Sequence, residues 1–184
     1  MPLSKKEMQR RWEEKTARIQ AIIKDRDWDA LFAMDESDDL SWTLEQMLWS
    51  FVTRRADGEL DLSGLSHAQR VLFLVLELEN ATQADALPNF FEEGFAAYGR
   101  EAVRALEEVG APRCAAALNA VVNTLPDGVY PKGDEGFWAS IMSGENSDIW
   151  DKADRIFVNY TDGRFSDLCY AYAQAHRDTV QAGR

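Results

Sequence analysis

Apolar residues recur at helical spacing along most of the chain and predict a series of packed helices. Near the start, Met8, Trp12, Ile19 and Ile23 follow one another at steps of four, seven and four residues, which places them on one face of a helix. None of the five prolines falls between residues 3 and 87, so no proline interrupts a helix there. The predicted helices cover residues 5–24, 28–34, 40–55, 66–79, 100–109, 112–125, 148–159 and 165–177.

The segment at residues 66–79 is the most apolar of these, and its assignment needs a second signal. The run Val-Leu-Phe-Leu-Val-Leu at residues 71–76 has no polar face, so by itself it fits a buried strand as well as a buried helix. Ser66 and Gln69 have the spacing of a capping box, in which each side chain satisfies a backbone N–H at a helix start. The capping box and the continuation through Glu79 favour a central buried helix.

Turn residues mark the ends of other elements. Gly110 supplies a C-terminal stop for one helix, and Pro112 suits the first turn of the next. Residues 56–65 are predicted as a loop, and their alternating acids do not form a calcium loop, because Leu62 and Ala68 stand where that loop needs Gly and Glu. The sequence therefore predicts an all-α fold, a single compact domain of nine or ten helices that begins with an amphipathic basic helix.

The composition fits a folded cytoplasmic domain. With 184 residues, 46% of them hydrophobic, the chain is long and apolar enough to bury a core without disulfides or metals. The first twelve residues have no apolar stretch behind their basic residues, which argues against a signal peptide, and the longest apolar run is too short to cross a membrane. Cys114 and Cys169 are predicted to be buried free thiols in preference to a secretory disulfide. We therefore expect no contact with a membrane.

The net charge of the chain is large and unevenly distributed, and it indicates which kinds of partner the protein can bind. The chain carries 20 basic and 32 acidic residues, a net charge of −12. Residues 1–26 form a basic arm with eight Lys or Arg and four acids, whereas residues 27–184 form an acidic body with 12 basic and 28 acidic residues, a net charge of −16. Such a body repels nucleic acid, whose binding requires Lys and Arg to neutralise phosphates. It attracts basic protein surfaces, although acidity also serves solubility alone.

The sequence carries none of the common catalytic signatures. It has no Walker loop, no dinucleotide-binding turn, no nucleophile elbow and no Cys-x-x-Cys pair. His67 lies near a helix start and His176 in a last helical turn, where a cation interacts favourably with the helix dipole, so both are assigned structural roles. Neither has a Glu three positions before it, as a helical di-iron site requires. We predict no enzymatic activity, no catalytic residue, no metal and no cofactor.

Three segments of the chain carry a family resemblance. They are Leu76-Glu77-Leu78-Glu79-Asn80; then Asn89-Phe90-Phe91 with Gly94 and the stretch EAVRALEEVGA at residues 101–111; then WDKADRIF at residues 150–157 with Leu168-Cys169-Tyr170-Ala171-Tyr172. Through them, residues 40–178 resemble a bacterial DNA-mimic protein family, a domain-of-unknown-function family. The resemblance implies an all-helical homodimer whose acidic face stands in for DNA and occupies a DNA-binding protein such as a transcription regulator.

One element departs from the family pattern. The family places two glycines after the Asn that corresponds to Asn80, whereas this chain has Ala81 and Thr82 there and several extra residues before Asn89. Glycine adopts backbone angles that Ala and Thr resist, so we expect the local turn to differ while the scaffold stays the same.

The resemblance directs attention to acidic clusters. Acids three or four positions apart on a helix have Cβ atoms about 5–6 Å apart, comparable in scale with successive backbone phosphates. The candidate partner-binding residues are Asp35, Glu36, Asp38 and Asp39, then Glu92 and Glu93, then Asp148, Asp151 and Asp154. The last three form a predicted row, although Lys152 and Arg155 flank them. The alternative for each cluster is a solvated helix face or a helix N-cap.

Two other classes of function stay open at the level of sequence. An immunity-type or scaffolding protein would recognise one partner through shape and aromatic side chains, with exposed Trp12, Trp42 or Trp138 as anchors and the acidity serving solubility. An enzyme with an unrecognised carboxylate site is the third hypothesis. The salt dependence of binding distinguishes a DNA mimic from an immunity-type or scaffolding protein, because attraction between exposed charges weakens as ionic strength rises.

Overall fold

The computed structural model describes residues 4–34, 37–84, 86–133, 135–144 and 146–182, and helices make up most of this part of the chain. Eleven α-helices occur in the described residues, with a π-helical segment at Phe91–Phe95, a 3-10 turn at Pro126–Gly128 and two short strands. The helices are α1 Lys5–Asp25, α2 Trp28–Phe32, α3 Ser37–Trp49, α4 His67–Ala84, α5 Leu87–Phe90, α6 Gly99–Glu108, α7 Pro112–Val122, α8 Glu135–Ser143, α9 Ser147–Val158, α10 Phe165–Ala175 and α11 Arg177–Gln181. The predicted all-α class is confirmed.

Helix α4 lies at the centre of the domain. The Gln69 N–H donates to the Ser66 hydroxyl over 3.3 Å, and the Ser66 N–H donates to the Gln69 side chain over 2.9 Å, so the predicted capping box is confirmed. Every side chain from residue 71 to residue 78 is buried. Helices α3, α5, α6, α9, α10 and α11 all pack against α4, which is therefore a buried helix and not a strand.

Helix α3 ends at Trp49, earlier than the predicted residue 55. The Ser50 hydroxyl donates to the Met47 carbonyl over 2.6 Å and so satisfies an acceptor in the last turn. The strand Thr53–Arg54 then pairs with the strand Leu60–Asp61 inside the predicted loop, in the only sheet of the described chain. The hairpin buries Leu60, and burying an apolar side chain favours this path over a continued exposed helix.

Other helix boundaries also differ from the prediction. Helix α7 ends at Val122 and not at residue 125, because the Thr124 hydroxyl donates to the Val121 carbonyl over 2.7 Å and the residue before Pro126 is extended. The segment after helix α10 forms the separate short helix α11. Helix α8 was not assigned from the sequence, so the described chain holds eleven α-helices in place of nine or ten.

Helix α1 is packed on the domain only through its second half. Ile19 and Ile22 are its buried residues, whereas Met8 and Trp12 on the predicted apolar face are exposed by 52% and 62%. Helix α1 packs against α2 and α3, and the Lys15 ammonium forms an ion pair with the Asp39 carboxylate. The first half of this basic helix therefore presents an apolar face that its own domain does not cover.

The core is a single apolar cluster with a strong aromatic component. Cys114 and Cys169 are both buried and unpaired with each other, as predicted. Burial raises the pKa of both thiols, that of Cys114 to about 12, so neither is a reactive thiolate at neutral pH. No described helix is long and apolar enough to cross a membrane.

We expect the substitution Gly94→Ala to lower the free energy of unfolding by about 1–3 kcal/mol. Gly94 has φ of 119°, and a Cβ there would lie 2.9 Å from the Arg54 Nη1 atom and 3.0 Å from the Leu60 Cγ atom. Gly110 is the matched control, because it has φ of 87° but no neighbouring atom within 4 Å of an added Cβ. Urea unfolding should show a larger loss for Gly94→Ala than for Gly110→Ala, and equal losses would contradict the close packing.

Candidate functional site

The first predicted acidic cluster lies largely outside the described residues. Asp35 and Glu36 fall outside them, and Asp38 lies in helix α3 with its side chain undescribed. The Asp39 side chain is 26% exposed and forms an ion pair with Lys15 of helix α1. In this cluster, therefore, the described carboxylate is engaged by the basic arm of the same chain.

The third predicted cluster lies on helix α9, but its three carboxylates do not form a straight row. Successive residues of an α-helix are rotated by about 100°, so positions three apart drift by about 60° around the axis. Asp148 and Asp151 are exposed, whereas Asp154 is half-buried and its Oδ1 accepts the backbone N–H of Leu87 over 2.8 Å. Asp154 thus fastens the start of helix α5 to helix α9.

The exposed face of helix α9 also carries positive charge. Lys152 and Arg155 follow Asp148 and Asp151 at a spacing of four residues, and all four side chains are exposed. Side chains four positions apart are neighbours on a helix surface, so the two cations weaken the negative potential of this face. Asp148 and Lys152 also line an apolar groove of about 540 Å³ between α7 and α9, together with Arg113, Ala116, Ala117, Ala120, Ile149, Ala153, Ile156 and Thr161.

The second predicted cluster occupies the π-helical segment, where Glu92 and Glu93 are both exposed. The Glu93 carbonyl accepts the Arg54 guanidinium over 3.2 Å, which ties this segment to the β-hairpin. The Phe91 ring lies 6.0 Å from the Trp150 ring of helix α9. The structure therefore places the second and third clusters on neighbouring elements.

A cavity of about 340 Å³ opens beside Glu92. Among the described residues, two acids, Glu92 and Glu135, and one aromatic residue, Trp138, line it. Its other lining residues are Asn89 and Gly133. Glu135 was not among the predicted site residues, because nothing in the Pro- and Gly-rich segment around it indicates that helix α8 folds back beside Glu92.

A buried tyrosine lies beside the Glu92 carboxylate. Tyr130 is only 2% exposed, and its hydroxyl is close enough to Glu92 to interact with the carboxylate. Its ring stacks on Phe91 with centroids 5.3 Å apart and packs edge-on against Phe137 at 5.6 Å. Burial, followed by the interaction with Glu92, raises the pKa of Tyr130, so the phenol stays protonated and is able to donate to the carboxylate.

A second pair of carboxyl groups lies inside the domain, between helices α3 and α4. Glu45 and Glu77 are 8% and 5% exposed, and their carboxyl groups lie next to each other. The Trp49 indole also lies beside Glu77, whereas the Glu77 Oε1 atom has no hydrogen-bond partner among the described residues. Burial, followed by the charge of Glu45, raises the pKa of Glu77 to about 8. Glu77 is therefore largely protonated at neutral pH.

Nothing in the sequence indicates this pair, because its members lie on different helices and only their packing brings the carboxyl groups together. A raised carboxyl pKa is common at catalytic sites but also arises in structural pairs. The neighbours of Glu77 named above are side chains of helix α3, so the geometry assigns the pair to the packing of α3 on α4. No group of three or more described His, Cys, Asp or Glu side chains is arranged to hold a metal ion.

We expect the stability of the protein to fall by a few kcal/mol as the pH rises from 5 to 9, because each pH unit between the unfolded and folded pKa of Glu77 corresponds to about 1.4 kcal/mol. The folded pKa lies above the unfolded value, so the folded state is favoured at low pH and loses that advantage as pH passes about 8. Urea unfolding of Glu77→Gln should show a flatter pH dependence.

The exposed Glu107 provides the control for this experiment. Glu107→Gln should keep the pH dependence of the parent protein, because Glu107 is exposed to solvent and does not belong to the buried pair. A Glu77→Gln variant with the parent slope would show that Glu77 is not protonated in the folded protein.

Comparison with known proteins supports one assignment. No curated protein and no solved structure matches the chain significantly. The sequence profile described as DMP19-like protein matches residues 63–176. This range includes helices α4 to α10 and the acidic clusters at residues 92–93 and 148–154. The match covers more than half of the chain and agrees with the resemblance drawn from residues 76–80, 89–111 and 150–172. The chain therefore belongs to the DMP19-like protein family, a family of DNA-mimic proteins.

Proposed function

We propose that the protein is a cytoplasmic, non-enzymatic DNA mimic that binds a basic, DNA-binding protein such as a transcription regulator. The observation that carries the proposal is the group of exposed carboxylates Glu92, Glu93 and Glu135 in the family domain. Glu92 and Glu135 line one cavity, and Glu93 follows Glu92 in the chain. This group, and not the mixed-charge face of helix α9, is the most anionic part of the proposed surface.

The charge of the family domain supports this assignment. Residues 63–176 contain 17 acidic and eight basic residues, a net charge of −9. Some of the basic residues are engaged by acids of the same chain, as in the 2.7 Å ion pair of Arg70 with Glu101. None of the carboxylates of Glu92, Glu93, Asp148 and Asp151 forms an ion pair within the described residues. These carboxylates are thus left to attract the basic surface of a partner.

Exposed aromatic side chains are consistent with a second class of function, that of an immunity-type or scaffolding protein. Trp12, Trp42 and Trp138 are 62%, 45% and 41% exposed, as the scaffolding hypothesis expects of its anchors. A complex held by these side chains would persist at salt concentrations at which a complex held by exposed charges dissociates. The salt dependence of partner binding therefore decides between the two classes.

We expect the immobilised protein to retain DNA-binding proteins from a bacterial lysate at low salt, and to release them when duplex DNA is added as a competitor. The combined substitution Glu92→Gln, Glu93→Gln and Glu135→Gln should weaken this binding at least about tenfold, which corresponds to about 1.4 kcal/mol. Binding to one identified partner can then be measured by calorimetry at several salt concentrations.

The control removes the same charge elsewhere, through Glu13→Gln, Glu14→Gln and Glu107→Gln, all at exposed positions. The proposal is wrong if the two triple variants lose equal affinity, or if DNA does not compete with the retained proteins. Retention that is unaffected by salt would favour the scaffolding hypothesis instead.

We further propose that the protein is a homodimer, as the family resemblance implies, and that the basic arm at residues 1–26 contributes to the dimer contact. Met8 and Trp12 form an uncovered apolar face on helix α1, and the arm has the opposite charge to the acidic body. Sedimentation of the full chain should give twice the 20.8 kDa chain mass. The double substitution Met8→Gln and Trp12→Gln should shift it to the monomer, and an unchanged dimer would exclude the arm from the contact.

A further inference from the structure

The cavity between the π-helical segment and helix α8 has the properties of a binding site for one cationic side chain. We propose that it binds the guanidinium group of an arginine side chain presented by the basic partner. This inference rests on the proposed function and assigns it a specific contact. The cavity has a volume of about 340 Å³, and its lining combines the carboxylates of Glu92 and Glu135 with the indole of Trp138.

Trp138 supplies an aromatic wall that the domain leaves uncovered. Its side chain is 41% exposed, although a large apolar surface is ordinarily buried. Tryptophan is the best aromatic partner for a cation, because the face of its ring system carries negative potential. A guanidinium stacked on this indole would cover apolar surface and keep its five N–H donors free for hydrogen bonds in its own plane.

The two carboxylates supply the acceptors for these donors. Glu92 and Glu135 are exposed, and they come from different elements that meet at the cavity. Lys132 is the basic residue nearest to Glu135 in the sequence, and its ammonium lies 3.7 Å from the Glu59 carboxylate. That cation is therefore drawn towards the β-hairpin, and the charge of the cavity stays negative.

The Glu92 carboxylate has a rigid neighbour inside the domain. The Tyr130 hydroxyl lies beside it, and the Tyr130 ring stacks on Phe91 and packs edge-on against Phe137. Phe91 in turn packs against Trp150 of helix α9. A carboxylate oriented by such a rigid support loses little side-chain entropy when it binds a cation.

Arginine fits this arrangement better than lysine does. The guanidinium is planar, so it can stack on Trp138 and still donate to carboxylates at its edge. An ammonium is a compact, strongly hydrated charge that cannot combine both contacts in the same way. The cavity therefore predicts discrimination between two peptides of equal charge.

The test uses the full chain and two fluorescein-labelled peptides of equal length, one with four arginines separated by glycines and one with four lysines separated by glycines. Fluorescence anisotropy measures the dissociation constants. We expect the arginine peptide to bind more tightly, and Trp138→Leu to weaken it about fivefold, consistent with a cation–π contribution of about 1 kcal/mol. Combining Glu92→Gln with Glu135→Gln should weaken it at least about tenfold.

Each variant has a matched control elsewhere on the surface. Trp42→Leu removes another exposed indole, and Glu93→Gln removes the charge adjacent to Glu92, at a position that does not line the cavity. We expect Trp42→Leu to change the affinity less than twofold and Glu93→Gln to change it less than Glu92→Gln does. Trp138, Glu92 and Glu135 are exposed, so thermal unfolding should show that all variants fold like the parent.

The possible results separate the cavity from the overall function. Equal affinity for the arginine and lysine peptides, or equal losses in the cavity variants and their controls, would overturn the arginine site and leave the DNA-mimic proposal standing. Conversely, cavity-dependent binding of the arginine peptide, without any retention of DNA-binding proteins, would support the site and overturn the DNA-mimic function. If Trp138→Leu and Trp42→Leu bind a retained partner equally well, the cavity does not contact that partner.

Discussion

The burial of helix α4 on all of its sides is the constraint on which the rest of the structure depends. An unbroken run of eight buried side chains must be covered in every direction, and this requires a shell of helices that includes α3, α6, α9 and α10. A helix that enters the interior this completely also carries its few polar groups inwards. Glu77 is one of them, and it is accommodated by the neighbouring Glu45, by the Trp49 indole and by the raised pKa that keeps it largely protonated.

The same packing decides where the exposed charges lie. Helix α5 follows α4 directly and is fastened to helix α9 by the Asp154 carboxylate, so the π-helical segment with Glu92 and Glu93 is fixed beside α9. The aromatic contacts of Phe91, Tyr130 and Trp150 hold this arrangement from within. The acids of the domain thus divide into two kinds. Some complete the fold, as Asp154 does through a hydrogen bond and Glu77 does as a buried, protonated group. Others face solvent and give the protein its anionic surface.

Because of this division, the net charge overstates the negative charge that is exposed at the surface. The net charge of −16 for the body counts every carboxyl group as an equal contributor. In the folded protein Glu77 is largely protonated at neutral pH, Asp154 is occupied by a backbone N–H, and Asp39 faces a lysine of the arm. The exposed carboxylates that could attract a basic partner are therefore a smaller and more local set, which includes Glu92 and Glu93.

The fold class of this protein and the distribution of its charge can be predicted from its sequence alone. Its local signals are the spacing of apolar residues, the Ser66–Gln69 capping box and the turn residues Gly110 and Pro112, each of which acts over one or two helical turns. These signals predict the all-α class and the central buried helix. The asymmetry between a basic arm and an acidic body is likewise a property of the sequence. Contacts between distant segments were decided only by the tertiary structure. The crossing of helices decides that Asp154 accepts a backbone N–H and that Glu45 meets Glu77. It also decides that Glu92, Glu135 and Trp138 line one cavity. Local spacing carries no information about these crossings.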